Sequence, residues 1–154
     1  MWIGKLLMLM TKKHVISYPN EKNFLRYQFY FGSLARGPEY SIIAKKVLDK
    51  GSIKDYMFCV SFLSVADFAY ITRKGGNERL KENIDLICDL FNVLSNDRKH
   101  LLKAWTYNPK DYEDSVQYAT AILNQCNIII TRNAKDFYFS EIPILTPQEF
   151  IDTL

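Results

Sequence analysis

The sequence predicts an α/β domain whose mainly parallel sheet lies between helical layers, and three observations carry that expectation. Met57–Ser61 (MFCVS) and residues 126–131 (CNIIIT) are largely apolar without alternation, the composition of strands covered on both faces. Between them apolar residues recur at helical steps, with Leu80, Ile84, Ile87, Phe91 and Leu94 spaced 4, 3, 4 and 3 apart. Strands separated by helices need crossover connections, and these run the strands parallel. Length is the third observation, because 154 residues suit one core of about 100–200 residues.

Taken in order, residues 13–17 read as a short strand ended by Tyr18-Pro19-Asn20, and the aromatic run at 23–34 fits helix and strand alike. After Gly37-Pro38, Ile43, Ala44, Val47 and Leu48 form the stripe of a helix that stops at Gly51. MFCVS is a buried strand, and Ser64 opens a helix that ends before Gly75-Gly76. A helix over 77–95 follows, then a strand at 100–106 and a turn at Asn108-Pro109. Residues 111–125 form a helix with Val116, Ala119, Thr120 and Leu123 on one side. CNIIIT is the strongest strand in the chain, rich in β-branched side chains, and 142–145 adds a short one. Pro147 opens the terminal helical turn at its first position, where a missing N–H costs nothing.

Composition and charge narrow the function classes. At 48% hydrophobic and 24% charged residues the chain is neither disordered nor collagen-like. The net charge of +3 does not by itself indicate nucleic acid, but its distribution is uneven. Residues 1–50 carry 9 Lys/Arg against 3 Asp/Glu, and residues 101–154 carry 4 against 7, so a basic end and an acidic end are separated along the chain. Cys59, Cys88 and Cys126 are an odd count in apolar stretches, which fits packed, reduced thiols and a cytoplasmic location. The opening MWIGKLLMLM, interrupted by Lys5, is shorter than the about 20 apolar residues a membrane span needs and has no small-residue cleavage site after it. It reads as an extra strand or as residues ahead of a later start at Met8 or Met10. His14 and His100 stand alone, without zinc-ligand spacing, and neither a phosphate loop nor a G-x-S-x-G nucleophile is present.

In parallel sheets with helical layers, ligands bind at the carboxyl ends of the strands. Three acids map there: Asp67 in the first turn of the helix after MFCVS, Asp114 in the first turn of the helix before CNIIIT, and Asp136 five residues beyond Thr131. Carboxylates converging from separate elements are the ligand set that Mg²⁺ or Mn²⁺ prefers, and such an ion assists phosphodiester hydrolysis. Each acid also has a plainer reading. Ser64-x-x-Asp67 and Asp111-x-x-Asp114 have the form of helix caps, and Asp136 suits an Asx turn.

Residues 111–137 (DYEDSVQYATAILNQCNIIITRNAKDF) and 142–151 (IPILTPQEFI) closely resemble the C-terminal half of PIN domains, especially bacterial ones of the VapC toxin type. The E-D-x-x-x-x-A-T-A block, the apolar strand, T-x-N-x-x-D-F and P-x-L-T-P-x-E-F occur in the family's order and spacing. Residues 60–74 (VSFLSVADFAYITRK) resemble the family's second strand and its following helix, so the likeness covers 38–154, with 1–37 a divergent part of the same single domain. The resemblance implies a three-layer α/β/α fold and a Mg²⁺- or Mn²⁺-dependent endoribonuclease, with Asp67, Asp114 and Asp136 as metal ligands and catalytic acids. Thr131 and Asn133 then match the polar residues that orient the acid and the metal's water. Arg132 and Lys135, flanking that acid, are candidates for RNA phosphates or for pairing with the acids themselves. The implied partners are RNA, a small antitoxin protein and a second copy of the chain. The alternative within the same fold is an inactive RNA- or protein-binding module.

One departure bears on activity. The family's first strand ends in D-T-N, and this chain has no Asp before Asp49. HVISYPN (14–20) is the nearest counterpart, with Ser17 in the place of the aspartate and Asn20 echoing the motif's Asn. A weakened or inactive site, substitution by Glu21, and a frame-shifted N-terminal stretch each account for this, and loss of one carboxylate predicts weak metal binding. Lys12, Lys13, Lys22, Arg26 and Arg36 suit either an RNA path or ordinary solvated surface.

Overall fold

A strand with apolar side chains on both sides must be covered on both sides, and two strands of the chain meet that condition. In β2 (Met57–Ser61), Phe58 and Val60 enter one apolar cluster with Val47, Phe68, Ile87, Phe91 and Phe150, whereas Cys59 enters another with Leu94, Tyr118, Ala121 and Phe137. In β4 (Ile128–Ile130), Ile130 joins the first cluster and Ile129 the second. This is the alternation of a pleated strand at the centre of three layers. The computed structural model describes residues 26–29, 42–43, 45–47, 49, 56–107 and 110–153.

Between β2 and β4 lies β1 (Arg26–Phe29), and with β3 (Asn92–Leu94) and β5 (Ile144–Leu145) the sheet runs β3-β2-β1-β4-β5, every pair parallel. Gln28 pairs with Cys59 on one side and with Ile129 on the other. On the first face of the sheet pack α1 (Phe62–Thr72), α2 (Asn77–Leu90) and Phe150 and Ile151 of α5 (Pro147–Asp152). Ile43 and Val47, from the helical residues at 42–43, 45–47 and 49, join them. The other face is covered by α4 (Tyr112–Leu123), and α3 (Arg98–Trp105) packs on α4 through Ala104 against Val116 and Ala119.

The helix expected at 77–95 stops at Leu90, with Phe91 already extended (φ −128°, ψ 145°), and the next residues form β3. Phe91 and Leu94 keep the helical spacing by coincidence. In a helix they would share a face, but here they enter clusters on opposite sides of the sheet. The strand expected at 100–106 is the helix α3. The Asp97 carboxylate accepts from the Lys99 N–H at 2.9 Å, and the Asp97 N–H donates to His100 Nδ1 at 3.0 Å, closing a capping box that nucleates a helix. The central strand β1 lies in the run 23–34 that local pattern left open. Pairing with β2 and β4 decides it, while 13–17 falls outside the described residues, as do Ser17, Asn20, Glu21, Lys12, Lys13, Lys22, Arg36 and the opening ten residues. Of Arg26 only the backbone is described.

At other termini the sequence signals hold. Pro147 opens α5 behind a capping box in which the Thr146 hydroxyl accepts from the Glu149 N–H at 3.2 Å and the Glu149 carboxylate from the Thr146 N–H at 2.7 Å. Gly76, at φ +90° and ψ 158° before α2, occupies backbone space that only glycine enters freely. Cys59 and Cys126 are buried as expected, whereas Cys88 is exposed, because its position on α2 faces away from the sheet. Among the described residues no helix is long and apolar enough to cross a membrane.

A buried polar knot ties the two layers together. α1 begins at Phe62, not Ser64: Ser61, the last residue of β2, caps it by accepting from the Ser64 N–H at 3.0 Å. The Ser61 hydroxyl donates to Gln117 Oε1 of α4 at 2.5 Å, and Gln117 Nε2 donates to Ser64 Oγ at 3.0 Å. All three side chains are essentially sealed from water. Ser61→Ala removes the cap and deprives Gln117 Oε1 of this donor. It should cost about 2 kcal/mol, a fall of about 4–8 °C in the thermal midpoint read by circular dichroism.

Candidate active site

Because α1 follows β2 and α4 leads into β4, both helices have their N-termini at the carboxyl edge of the sheet. Asp111 caps α4, its carboxylate accepting from the Glu113 N–H at 2.8 Å and from the Asp114 N–H at 3.5 Å. That cap fixes the first turn and places Asp114 as its third residue. Gln117, one turn further, anchors the same helix in the polar knot. After β4 the chain turns sharply: the Thr131 hydroxyl accepts from the Asn133 N–H at 3.2 Å, and the Asp136 N–H donates to the Asn133 carbonyl at 2.9 Å. A short 3₁₀ turn, Ala134–Phe137, follows, with Phe137 buried in the core beneath it.

These two constructions bring Asp114 and Asp136 to one cleft of ≈ 400 Å³ that is also lined by Lys110, Asp111, Lys135 and Tyr138. The carboxyl of Asp114 is pushed up to about 6, first by its burial and then by the charges of Asp111, Asp136 and Glu113. Burial and three neighbouring acids together outweigh the favourable helix N-terminus on which Asp114 sits. Asp67 is placed differently. It lies in the second turn of α1, half-buried, and its carboxyl is raised by burial and by Glu113, to which it is hydrogen-bonded.

Of the residues singled out in the sequence, Asp114, Asp136 and Lys135 share the cleft, while Asp67 faces Glu113 and is outside the lining. Thr131 is buried and uses its hydroxyl to shape the turn, Asn133 contributes backbone groups to that turn, and Arg132 does not line the cleft. Among the described residues no three Asp, Glu, His or Cys side chains close into one ligand cluster. The sequence reading gave no role to Lys110, Glu113 or Tyr138 and treated Asp111 as a cap alone. Their signal was adjacency: Lys110 to Glu113 surround the start of the helix that carries Asp114, and Tyr138 stands two residues beyond Asp136.

A divalent cation fits this donor set. Mg²⁺ and Mn²⁺ take oxygen ligands, and Mg²⁺ commonly uses one or two carboxylates with water completing the shell. Asp114 and Asp136 supply two such groups on separate elements, and their mutual repulsion is what a dication would relieve.

Among the described residues, a parallel five-stranded sheet between helices, with acids at its carboxyl edge, defines the class as a three-layer α/β/α domain. A family model described as "PIN domain" matches residues 5–135, and the chain belongs to that family. Among solved structures it is similar to that of VapBC-1 from nontypeable Haemophilus influenzae, at 16% identity and a TM-score of 0.63, covering 80% of this chain and 99% of the other. The comparison with curated proteins finds no match.

The raised carboxyl of Asp114 has a measurable consequence in metal-free protein. The folded state takes up a proton near pH 6 that the unfolded chain takes up only near about 3.9, so stability rises as pH falls from 7 towards 4 on account of this group. Asp67 acts in the same direction. Asp114→Asn should abolish most of that pH dependence. At neutral pH it should stabilise the metal-free protein by about 1 kcal/mol, allowing for solvent screening of a half-exposed group, or about 2–4 °C by calorimetry.

Proposed function

We propose that this PIN domain is a divalent-metal-dependent endoribonuclease of the VapC toxin type. The observation that carries the reading is the meeting of Asp114 and Asp136, from separate elements, in a cleft rimmed by Lys110 and Lys135. Asp114 and Asp136 would hold Mg²⁺ or Mn²⁺, with Asp111 and the Asp67–Glu113 pair adding negative charge behind them. A bound ion supplies neutralisation of the phosphate's charge and a water of lowered pKa. The chain's own groups do the rest. Lys110 and Lys135 bring the phosphodiester to the acids, the cap at Asp111 and the Thr131 turn fix the two carboxylates, and water adds to phosphorus opposite the departing ribose oxygen.

The protein partners that accompany this reading are a small antitoxin protein and a second copy of the chain. Leu101, Leu102 and Trp105 of α3, exposed together, offer apolar surface suited to such a contact. The second reading, a PIN fold that binds RNA or protein without cutting it, draws on the placement of Asp67 against Glu113, which leaves two of the three expected ligands in the cleft.

Cleavage of RNA in Mn²⁺, followed on gels, decides between them. For the nuclease, EDTA abolishes the reaction, and Asp114→Asn or Asp136→Asn lowers the rate about 10²–10³-fold. Asp67→Asn, acting from outside the cleft, lowers it by about tenfold. Cleavage that persists in EDTA or in Asp114→Asn contradicts the metal-site mechanism, and no cleavage with retained RNA binding supports the binding module. Metal affinity offers a separate check. Millimolar Mn²⁺ should raise the thermal midpoint of the wild type and leave that of Asp114→Asn unchanged.

A further inference from the structure

The ring of Tyr138 has no part in holding a metal, yet it forms one wall of the cleft beside Asp114 and Asp136 and is 57% exposed. Scattered aromatic side chains on a surface are ordinary, and Tyr70, 67% exposed on α1, lies outside the cleft. Tyr138 differs in placement and in support. It meets Phe139 in a T-shaped contact at 5.2 Å and 85°, and Phe139 is itself stacked on Tyr107 at 5.4 Å and set against Tyr118 in the core. The ring is therefore buttressed from the core through Phe139. Lys110 Nζ lies over one face of the ring, 5.2 Å from its centroid, which leaves the opposite side for a base, and Lys135 lines the same cleft. An aromatic plane flanked by cations is the combination that binds single-stranded nucleic acid, the plane stacking a base and the cations meeting the backbone. A base inside an A-form duplex has no free face to offer.

Resting on the nuclease reading above, we infer that Tyr138 is a substrate-positioning residue that stacks one unpaired base beside the phosphate to be cut, with Lys110 and Lys135 on the neighbouring backbone. Stacking needs the ring and not the hydroxyl, so the contact is tolerant of base identity and fixes position more than sequence.

The test measures binding of a labelled single-stranded RNA by anisotropy with Ca²⁺ and its cleavage with Mn²⁺. Tyr138→Ala should weaken binding by about tenfold or more, and Tyr138→Phe by less than about twofold, with unchanged circular dichroism and thermal midpoint in both. Moving a single abasic nucleotide along the RNA should reveal one position at which wild type and Tyr138→Ala bind equally. Lys110→Ala and Lys135→Ala should each lower the slope of log affinity against log salt by about 0.7. Two results overturn the assignment while the nuclease reading stands: Tyr138→Ala binding and cutting as wild type while Asp114→Asn does not cut, or duplex RNA bound as tightly as single-stranded. Absence of both RNA binding and cleavage overturns the two readings together.

Discussion

The arrangement of the acidic edge depends on a hydrogen-bonded knot that no solvent reaches. Ser61 ends a strand, Ser64 lies in the first turn of the next helix, and Gln117 belongs to a helix more than fifty residues later. Polar groups so buried are costly when unpaired, so only one mutual placement of β2, α1 and α4 satisfies all three. That placement sets Glu113 and Asp114, one turn from Gln117, against the carboxyl edge of the sheet. It also brings Asp67, one turn beyond Ser64, within hydrogen-bonding reach of Glu113. Apolar packing alone would tolerate small rotations of α4, whereas the knot does not.

Electrostatics at the cleft run against stability. Burial of Asp114, with Asp111, Asp136 and Glu113 close by, pushes its carboxyl well above the usual range, which a protein selected only for folding would avoid. The fold compensates locally: the cap at Asp111 and the N-terminal amides of α4 favour negative charge, and Lys110 and Lys135 stand at the rim. Strain of this kind, concentrated in a concave site with mixed charge, is the usual mark of a functional position. Asp67 adds to the same crowding, its carboxyl raised by burial and by Glu113 beside it.

Where sequence and structure part, the cause is usually a contact between distant segments, the helix α3 with its local Asp97 capping box being the exception. MFCVS and CNIIIT could be read as strands because a strand covered on both sides has to be apolar throughout, whatever surrounds it. Pro147 and Asp111 were legible because caps are local chemistry. The spacing of Phe91 and Leu94 fits a helix equally well, and only their division between opposite faces of the sheet makes β3 a strand. In the same way β1 has no local signature that excludes a helix, and it is a strand because β2 and β4 each offer it an edge.

For the site, the chain itself dictated which chemistry is present: acids at a helix start and in the turn after an apolar strand, with lysines beside them. The meeting of Asp114 with Asp136, the pairing of Asp67 with Glu113, and the placing of Tyr138 and Lys110 in the same cleft were decided by the tertiary structure. Charges a few ångströms apart in space can be tens of residues apart along the polymer, and a sequence records only the second of those distances.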